Sequence, residues 1–341
     1  MKSRSKYYVS NELIIQAFIK AGIDGVINIE PLGAGEFNSI YACDTGDYSY
    51  VIKIAPLHHS NLLTYETDMM KQELYFYSLL QANTTIRTPK IFYSDFSKSL
   101  IPTPYFIMEK LAGVTSDRIQ LSSEKTEIFQ ERLANMIAQI HQIRNIKFGY
   151  IQNSLFDNWY LAISSMVTNL IHDAKKFHHS SQRGKKLLHY IEHNQMILEK
   201  VESRMVNFDI WPPNIICHQI EDKIELGLID LERCFFGDFI SDFVSIDFMS
   251  MKLEKKSIFL NRYLKYLGTI IEFNNDLEIR YAIMLGYLGL ILEVEKYARY
   301  SLFHFGWWRN VGASKLIFKQ SFDTLEKFTC KKTNNLLEKI E

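Results

Sequence analysis

Apolar positions in the first hundred residues alternate more often than they recur at helical spacing. Val26 to Leu32 reads as a strand that runs into Gly33-Ala34-Gly35-Glu36-Phe37. Asn38 to Cys43 reads as a second strand, closed by the turn Asp44-Thr45-Gly46-Asp47. In a third run, Tyr48, Tyr50, Ile52 and Ile54 share one face and Val51, Lys53 and Ala55 the other. The three predict an antiparallel meander in which Lys53 lies roughly opposite Asn38. Met70, Leu74, Tyr77 and Leu80 then fall on one helical stripe, stopped by Asn83-Thr84-Thr85 and Pro89. Lys90 to Ser94 and Tyr105 to Met108 predict a further strand pair. The amino-terminal part therefore reads as strands with one helix.

Past Leu111-Ala112-Gly113 the period changes. Phe129, Leu133, Met136, Ile137 and Ile140 share a helix face, and most of the remaining chain is helical in pattern. The longest apolar run, Tyr281 to Leu292 between Arg280 and Glu293, is too short to span a bilayer and predicts a buried helix. This switch divides the chain into residues 1–110 and residues 111–341, an α+β organisation with a strand-rich part followed by a helix-rich one. No internal repeat or low-complexity segment interrupts it.

Charge narrows the partners. Lys+Arg and Asp+Glu are equal at 39 each, so net charge gives no ground for nucleic acid or an anionic membrane as the main partner, and neither is expected. Cys43, Cys217, Cys234 and Cys330 are too few and too scattered for a disulfide scaffold or a thiolate metal site. The amino terminus is basic but has no apolar core. A cytoplasmic protein is expected, as a monomer or homodimer.

The stretch richest in chemistry is Val206-Asn207-Phe208-Asp209-Ile210-Trp211-Pro212-Pro213-Asn214-Ile215-Ile216-Cys217. It leads to a turn at Glu221-Asp222-Lys223 and a return strand, Ile224 to Ile229, that ends at Asp230. A hairpin folded at that turn brings Asn214 beside Asp230, with Asp209 close to both. An amide oxygen and a carboxylate at strand ends can hold Mg²⁺, which keeps water and substrate phosphates as its other ligands. Asp209 is then left to accept a proton. A base next to such a metal pair suits phosphoryl transfer, where positioning and charge stabilisation do most of the work. In the first part, Lys53 would lie beside phosphates held under the backbone N–H groups of Gly35 to Asn38. Glu73, a charge on an apolar helix stripe, needs a partner, and Lys53 is the natural one.

Together these segments resemble the aminoglycoside phosphotransferase and choline kinase branch of the protein-kinase-like fold. The Asp209…Asn214 loop, Ile229-Asp230-Leu231-Glu232, and Gly237-Asp238-Phe239-Ile240-Ser241-Asp242-Phe243 are similar to that family's catalytic loop, metal-binding segment and following turn. Gln139-Ile140-His141 and Phe148-Gly149-Tyr150 resemble its helix ahead of the substrate region. The resemblance implies a two-lobed fold with a small antiparallel sheet lobe and a larger, mainly helical lobe. It also implies transfer of the γ-phosphate of ATP or GTP to a small hydroxylated substrate. On that footing Asp209 is the base, Asn214 and Asp230 hold Mg²⁺, and Lys53 with Glu73 serves the nucleotide. Gly33, Gly35, Glu36, Phe37 and Asn38 belong to the nucleotide loop, and Met108-Glu109-Lys110-Leu111 to the hinge that reads the base. The loop departs from the family's common His-Gly-Asp start, showing Asn207-Phe208-Asp209, with Trp211 and Pro213 in place of a later His and Gly.

An aminoglycoside-like antibiotic is the first expected acceptor, with choline, a sugar or an amino-alcohol as alternatives. Trp211, Glu232 and Glu293 are the candidate contacts to it. Asn207 in the histidine position leaves open a nucleotide-binding pseudokinase, and a kinase of protein side chains is disfavoured by the short stretch from Asp230 to Asp242. His58-His59 and His178-His179 read as loop or surface residues and His141 as structural. Trp159, Tyr160, Tyr297, Trp307 and Trp308 read first as packing residues.

Overall fold

Ser10 caps a first helix, α1 (Asn11–Lys20), by accepting the Leu13 N–H at 3.4 Å, and the helix buries Ile14, Ala17 and Phe18. The sequence pattern places one helix in this part; α1 is a second. Its signal is a single i, i+3, i+4 stripe behind a serine cap. The computed structural model of this chain describes residues 7–32, 37–57, 62–221, 223–246, 250–268 and 273–337. Gly33, Gly35 and Glu36, together with His58, His59 and Asp222, lie outside the described residues.

Five antiparallel strands follow α1: β1 (Asn28–Pro31), β2 (Ser39–Asp44), β3 (Ser49–Ile54), then, after helix α2 (Met69–Asn83), β4 (Ile91–Asp95) and β5 (Tyr105–Glu109). Their order across the sheet is β1-β2-β3-β5-β4. Alternation along β3 divides the apolar side chains as expected. Ile52 and Ile54 join the core under α1, with Phe18, Tyr41 and Ile107. Val51 packs on the other face with Met70, Phe106 and Met108, which puts Lys53 on the α2 side. The β2–β3 turn closes by Thr45 N–H donating to the Tyr48 carbonyl at 3.0 Å, one residue later than the sequence pattern suggests. Lys53 therefore pairs with Ile40 rather than with Asn38.

The second lobe carries short strands among its helices. They are β6 (Val114–Thr115), α3 (Ser123–Gln142), α4 (Trp159–Lys176), α5 (Gln182–His193), α6 (Gln195–Leu198), β7 (Arg204–Val206), β8 (Ile215–Ile220), β9 (Lys223–Leu228), β10 (Phe235–Gly237), α7 (Ser257–Leu267), α8 (Asn275–Arg299) and α9 (Phe305–Leu337). The long apolar run lies in α8, where Tyr281 to Leu285 are all buried. Trp159 is core, stacked on Phe235 with ring centroids 5.7 Å apart. Among the described residues no helix is long and apolar enough to cross a membrane.

Two features join the lobes. Phe76, Tyr77 and Leu80 of α2 belong to the same buried cluster as Leu133, Ile137 and Phe236, so the helix under the sheet is also part of the large core. The chain crosses from β5 to β6 at Gly113, whose φ is +118°. A Cβ there would meet the Cys217 carbonyl oxygen at 2.6 Å, so only glycine fits this crossing.

Candidate active site

The loop from Asn207 to Asn214 is held from below by one carboxylate. Asp242 accepts the backbone N–H of Asn207 at 3.2 Å and of Phe208 at 2.5 Å, and His141 Nε2 lies 2.8 Å from it. With the carboxylate accepting, Nε2 carries the ring proton and Nδ1 accepts a hydrogen bond from the Tyr263 hydroxyl at 2.9 Å. Phe208 adopts φ +61°, an unfavourable backbone for a side chain of its size, and the Asp242 bond to its N–H helps to fix it. Replacing Asp242 by Ala orphans both N–H groups and the imidazole. It should cost about 3 kcal/mol or more of unfolding free energy, with Asp242→Asn intermediate. Urea unfolding of the two variants checks this; equal stability with the parent would remove Asp242 as the anchor.

Above this support, Asn207 Oδ1 accepts the Asp209 N–H at 2.9 Å. Asn214 closes a short turn over Pro212–Asn214 and donates from Nδ2 to both the carbonyl and the carboxylate of Asp209, each at 3.0 Å. That leaves Oδ1 as the atom the amide can offer a cation. The β8–β9 hairpin forms, but its register is one residue off the expected pairing of Asn214 with Asp230. Ile215 lies opposite Leu228 and the Ile229 N–H donates to the Asn214 carbonyl at 3.0 Å, so Asn214 faces Ile229 and Asp230 comes one residue later. Asp230 follows with φ +64°, its own N–H bonded to the Tyr77 hydroxyl of α2 at 2.9 Å.

Lys53 reaches this hairpin from the sheet lobe. Its Nζ lies 2.7 Å from Glu73, 2.8 Å from Asp230 and 3.1 Å from Glu232. Glu232 also accepts from Asn38 Nδ2 at 2.7 Å, and its carbonyl accepts from Gln72 Nε2 at 2.7 Å. One ammonium thus faces three carboxylates, whose oxygens lie within 4.8 Å of one another. Glu73 Oε1 is buried with no hydrogen-bond partner. An orphaned oxygen amid excess negative charge, next to the hard carboxylate donors of Asp230 and Glu232, fits a magnesium ion.

The electrostatics agree. Burial raises the Asp209 carboxyl to about 7; Arg233 opposes this, Asp230 and Glu232 add to it, and the Asn214 bond opposes it again. Burial pushes Glu73 up as well, against the attraction of Lys53 and with help from Asp230 and Glu232. Burial disfavours the Lys53 charge, but Asp230, Glu232 and Glu73 outweigh it and hold Lys53 protonated. An acid whose folded pKa exceeds its unfolded value binds more protons when folded, so stability falls as pH rises through that window. Without magnesium the melting temperature should decline between about pH 5 and about pH 8, and added Mg²⁺ should restore more at pH 8 than at pH 5.5. A midpoint that climbs across that interval would contradict the cluster's charge balance.

A profile of the phosphotransferase enzyme family (APH) matches residues 28–270. The chain belongs to that family. It is therefore a phosphotransferase acting on an alcohol group. No curated protein sequence matches it. Among solved structures, a Ralstonia eutropha JMP134 protein provisionally classed as an aminoglycoside phosphotransferase superposes with a TM-score of 0.64 at 12% identity, covering 93% of this chain and 98% of its own. The streptomycin–ATP–APH(2″)-IIa ternary complex gives 0.59 at 16% identity, covering 92% and 99%. Choline kinase LicA from Streptococcus pneumoniae gives 0.60 at 16%, covering 93% and 99%. These likenesses fix the two-lobed kinase-like fold.

The remaining predicted residues of this phosphotransferase fall at different depths. Phe37 is buried beneath the Arg299 guanidinium, 5.4 Å from its ring, so the end of the expected nucleotide loop rests on α8. Met108 is buried under the sheet, while the N–H groups of Glu109 and Lys110 are paired with the carbonyls of Lys90 and Ser49 at 2.8 and 3.0 Å. Leu111 is buried next to them. Trp211 stands half-exposed two residues from Asp209. Glu232, expected near the acceptor, instead sits with Asn38 and Lys53. Glu293 is buried and turned to α5, accepting from Ser181 at 2.6 Å and Arg183 at 2.8 Å. Two residues on, and so about 200° around the helix, Glu295 faces the cleft side instead. It bonds Arg233 at 2.8 Å, Tyr65 at 2.6 Å and Arg299 at 3.2 Å, and Arg299 also pairs with Glu66. Sequence reasoning missed this buried four-charge chain; a signal was available in two carboxylates at the end of an apolar run.

Proposed function

We propose that this phosphotransferase moves the γ-phosphoryl group of ATP onto a hydroxyl of an aminoglycoside-like antibiotic or a related small metabolite. The observation that carries the reading is the cross-lobe cluster, with Lys53 held by Glu73, Asp230 and Glu232 beside the Asp209–Asn214 pair. In the reaction the acceptor oxygen bonds to the γ-phosphorus, the bond to the β,γ-bridging oxygen breaks, and ADP leaves with that electron pair. The hydroxyl proton passes to a carboxylate oxygen of Asp209.

Asp209 suits this role because Asn214 and Asn207 fix its orientation and its proton affinity lies near neutrality. Asn207 supplies the hydrogen bond that keeps the loop organised without the family's histidine, which supports a working enzyme over an inert nucleotide binder. Lys53 neutralises nucleotide phosphate charge and Glu73 aims it. Asn38 and Phe37 anchor the end of the nucleotide loop against Glu232 and Arg299. With the Glu109 and Lys110 N–H groups already paired, the base is read by Leu111 N–H and neighbouring carbonyls. Asp230, Glu232 and Asn214 would hold Mg²⁺, which supplies positive charge to the phosphates when bound.

ATP is the first donor to test because a fold neighbour was solved with ATP and streptomycin, and streptomycin and choline set the range of acceptors. The experiment is γ-phosphate transfer from Mg-ATP and, in parallel, Mg-GTP to aminoglycosides, other antibiotics, choline and sugars. Metal-dependent transfer to one acceptor class is the expected result. Transfer to none of them, from either donor, would overturn the acceptor assignment.

A further inference from the structure

Charge is unevenly spread in a chain whose total is zero. No Asp or Glu occurs between Asp173 and Glu192, a span that holds Lys175, Lys176, Arg183, Lys185 and Lys186. None occurs between Glu295 and Asp323, which holds Lys296, Arg299, Arg309, Lys315 and Lys319. The fold brings the two spans together. The rings of His179 and Tyr297 lie 4.6 Å apart, the Arg183 guanidinium is 5.6 Å from the Phe318 ring, and Lys186 Nζ is 4.7 Å from that of Phe322. Crowding of like charge reaches Lys296: burial lowers its proton affinity, Glu293 opposes this, and Arg183 and Lys315 lower it further. Three of the acids bordering this face are engaged, Glu293 with Arg183, Glu326 with Lys186 and Asp173 with Lys176. Lys175, Lys185, Lys315 and Lys319 are exposed.

The turn that joins α8 to α9 adds apolar surface that the fold leaves in water. Phe303 is 91% exposed, Phe305 79% and Trp308 62%, with Leu302 and Leu316 also exposed. The Trp308 indole N–H donates to the Leu302 carbonyl at 3.0 Å, so its polar edge is satisfied and its ring is open. Large exposed apolar side chains at this turn and along the first turns of α9, a helix that also carries the exposed Lys315 and Lys319, match the composition of surfaces that lie in a bilayer interface.

We propose that this face docks on an anionic lipid surface, the Phe303–Trp308 tip entering the headgroup region and the lysines of α5 and α9 pairing with lipid phosphates. Aliphatic Leu302 and Leu316 suit acyl chains better than nucleic-acid bases, which need flat faces to stack on. A symmetric pairing of two copies through this face would set lysine against lysine. Docking of this kind needs no membrane-spanning segment.

Co-sedimentation of the full chain with phosphatidylcholine vesicles, with and without about a third of phosphatidylglycerol, tests the proposal. Binding to the anionic vesicles alone is expected, weakened by salt and accompanied by a blue shift of tryptophan emission as Trp308 leaves water. The paired substitution Phe303→Ser, Phe305→Ser removes two solvated rings, so the fold should hold while the partition coefficient drops about tenfold or more. Lys185→Gln with Lys315→Gln and Lys319→Gln should lower it by a similar factor on anionic vesicles. Equal pelleting with both vesicle types, binding unaffected by either variant, or retention of single-stranded RNA without any vesicle binding would each overturn the proposal. So would a dimer that the Phe303→Ser, Phe305→Ser variant abolishes while vesicle binding is absent.

Discussion

Asp209→Asn will lower the rate of phosphoryl transfer by about 10² to 10⁴, while the dissociation constant for Mg-ATP stays within about threefold. The asymmetry follows from geometry. An amide at this position still accepts from Asn214 Nδ2 through its oxygen, so the loop from Asn207 to Asn214 keeps its shape. It cannot, however, take the acceptor's proton. Isothermal titration with nucleotide and single-turnover transfer, made on the same preparation, separate the two effects. A variant that retains turnover would remove Asp209 from proton transfer, and one that loses nucleotide affinity to the same degree would make it a binding residue.

Lys53 should produce the second large effect, and its size should depend on pH. Lys53→Met leaves Glu73 buried beside Asp230 and Glu232 with no cation. Stranding one member of a buried ion pair costs about 3–5 kcal/mol. Glu73 can escape part of that cost by taking a proton, so the loss at pH 8 should exceed the loss at pH 5.5. Adding Glu73→Leu to Lys53→Met removes the stranded charge and should return most of the stability. Activity should stay absent in both, since neither has an ammonium for the nucleotide. Denaturant unfolding of the parent and both variants at the two pH values decides the matter; a double variant no more stable than the single one would show that Glu73 is not the group Lys53 neutralises.

Much of this arrangement can be read from the chain because its parts are local. The β8–β9 hairpin is governed by one turn, so counting outward from it to pair Asn214 with Asp230 misses the true partner of Asn214, Ile229, by a single residue. Glu73 betrays its partner by being charged on an apolar stripe. Long-range contacts are another matter. Nothing near Asp242 announces that it will hold the loop at Asn207 and Phe208, because the contact is between residues far apart in sequence that meet only when α3 and the turn after β10 pack. Glu232 reads as an acceptor contact until the sheet lobe delivers Asn38 and Lys53 to it. The β2–β3 register differs from expectation because a turn centred one residue later moves every pair by two. Zero net charge likewise conceals a basic, aromatic face, since an average over 341 residues erases a local excess.

The chain of Glu66, Arg299, Glu295 and Arg233 has a consequence for descent. Each of these charges is paired within the interior, and losing any one exposes its neighbours to the cost of an unpaired buried ion. A lineage cannot wander through single replacements here without passing a poorly folded intermediate. The four positions should therefore be inherited as a block: kept together in relatives that seat their nucleotide loop on α8, and exchanged together for uncharged packing in those that do not.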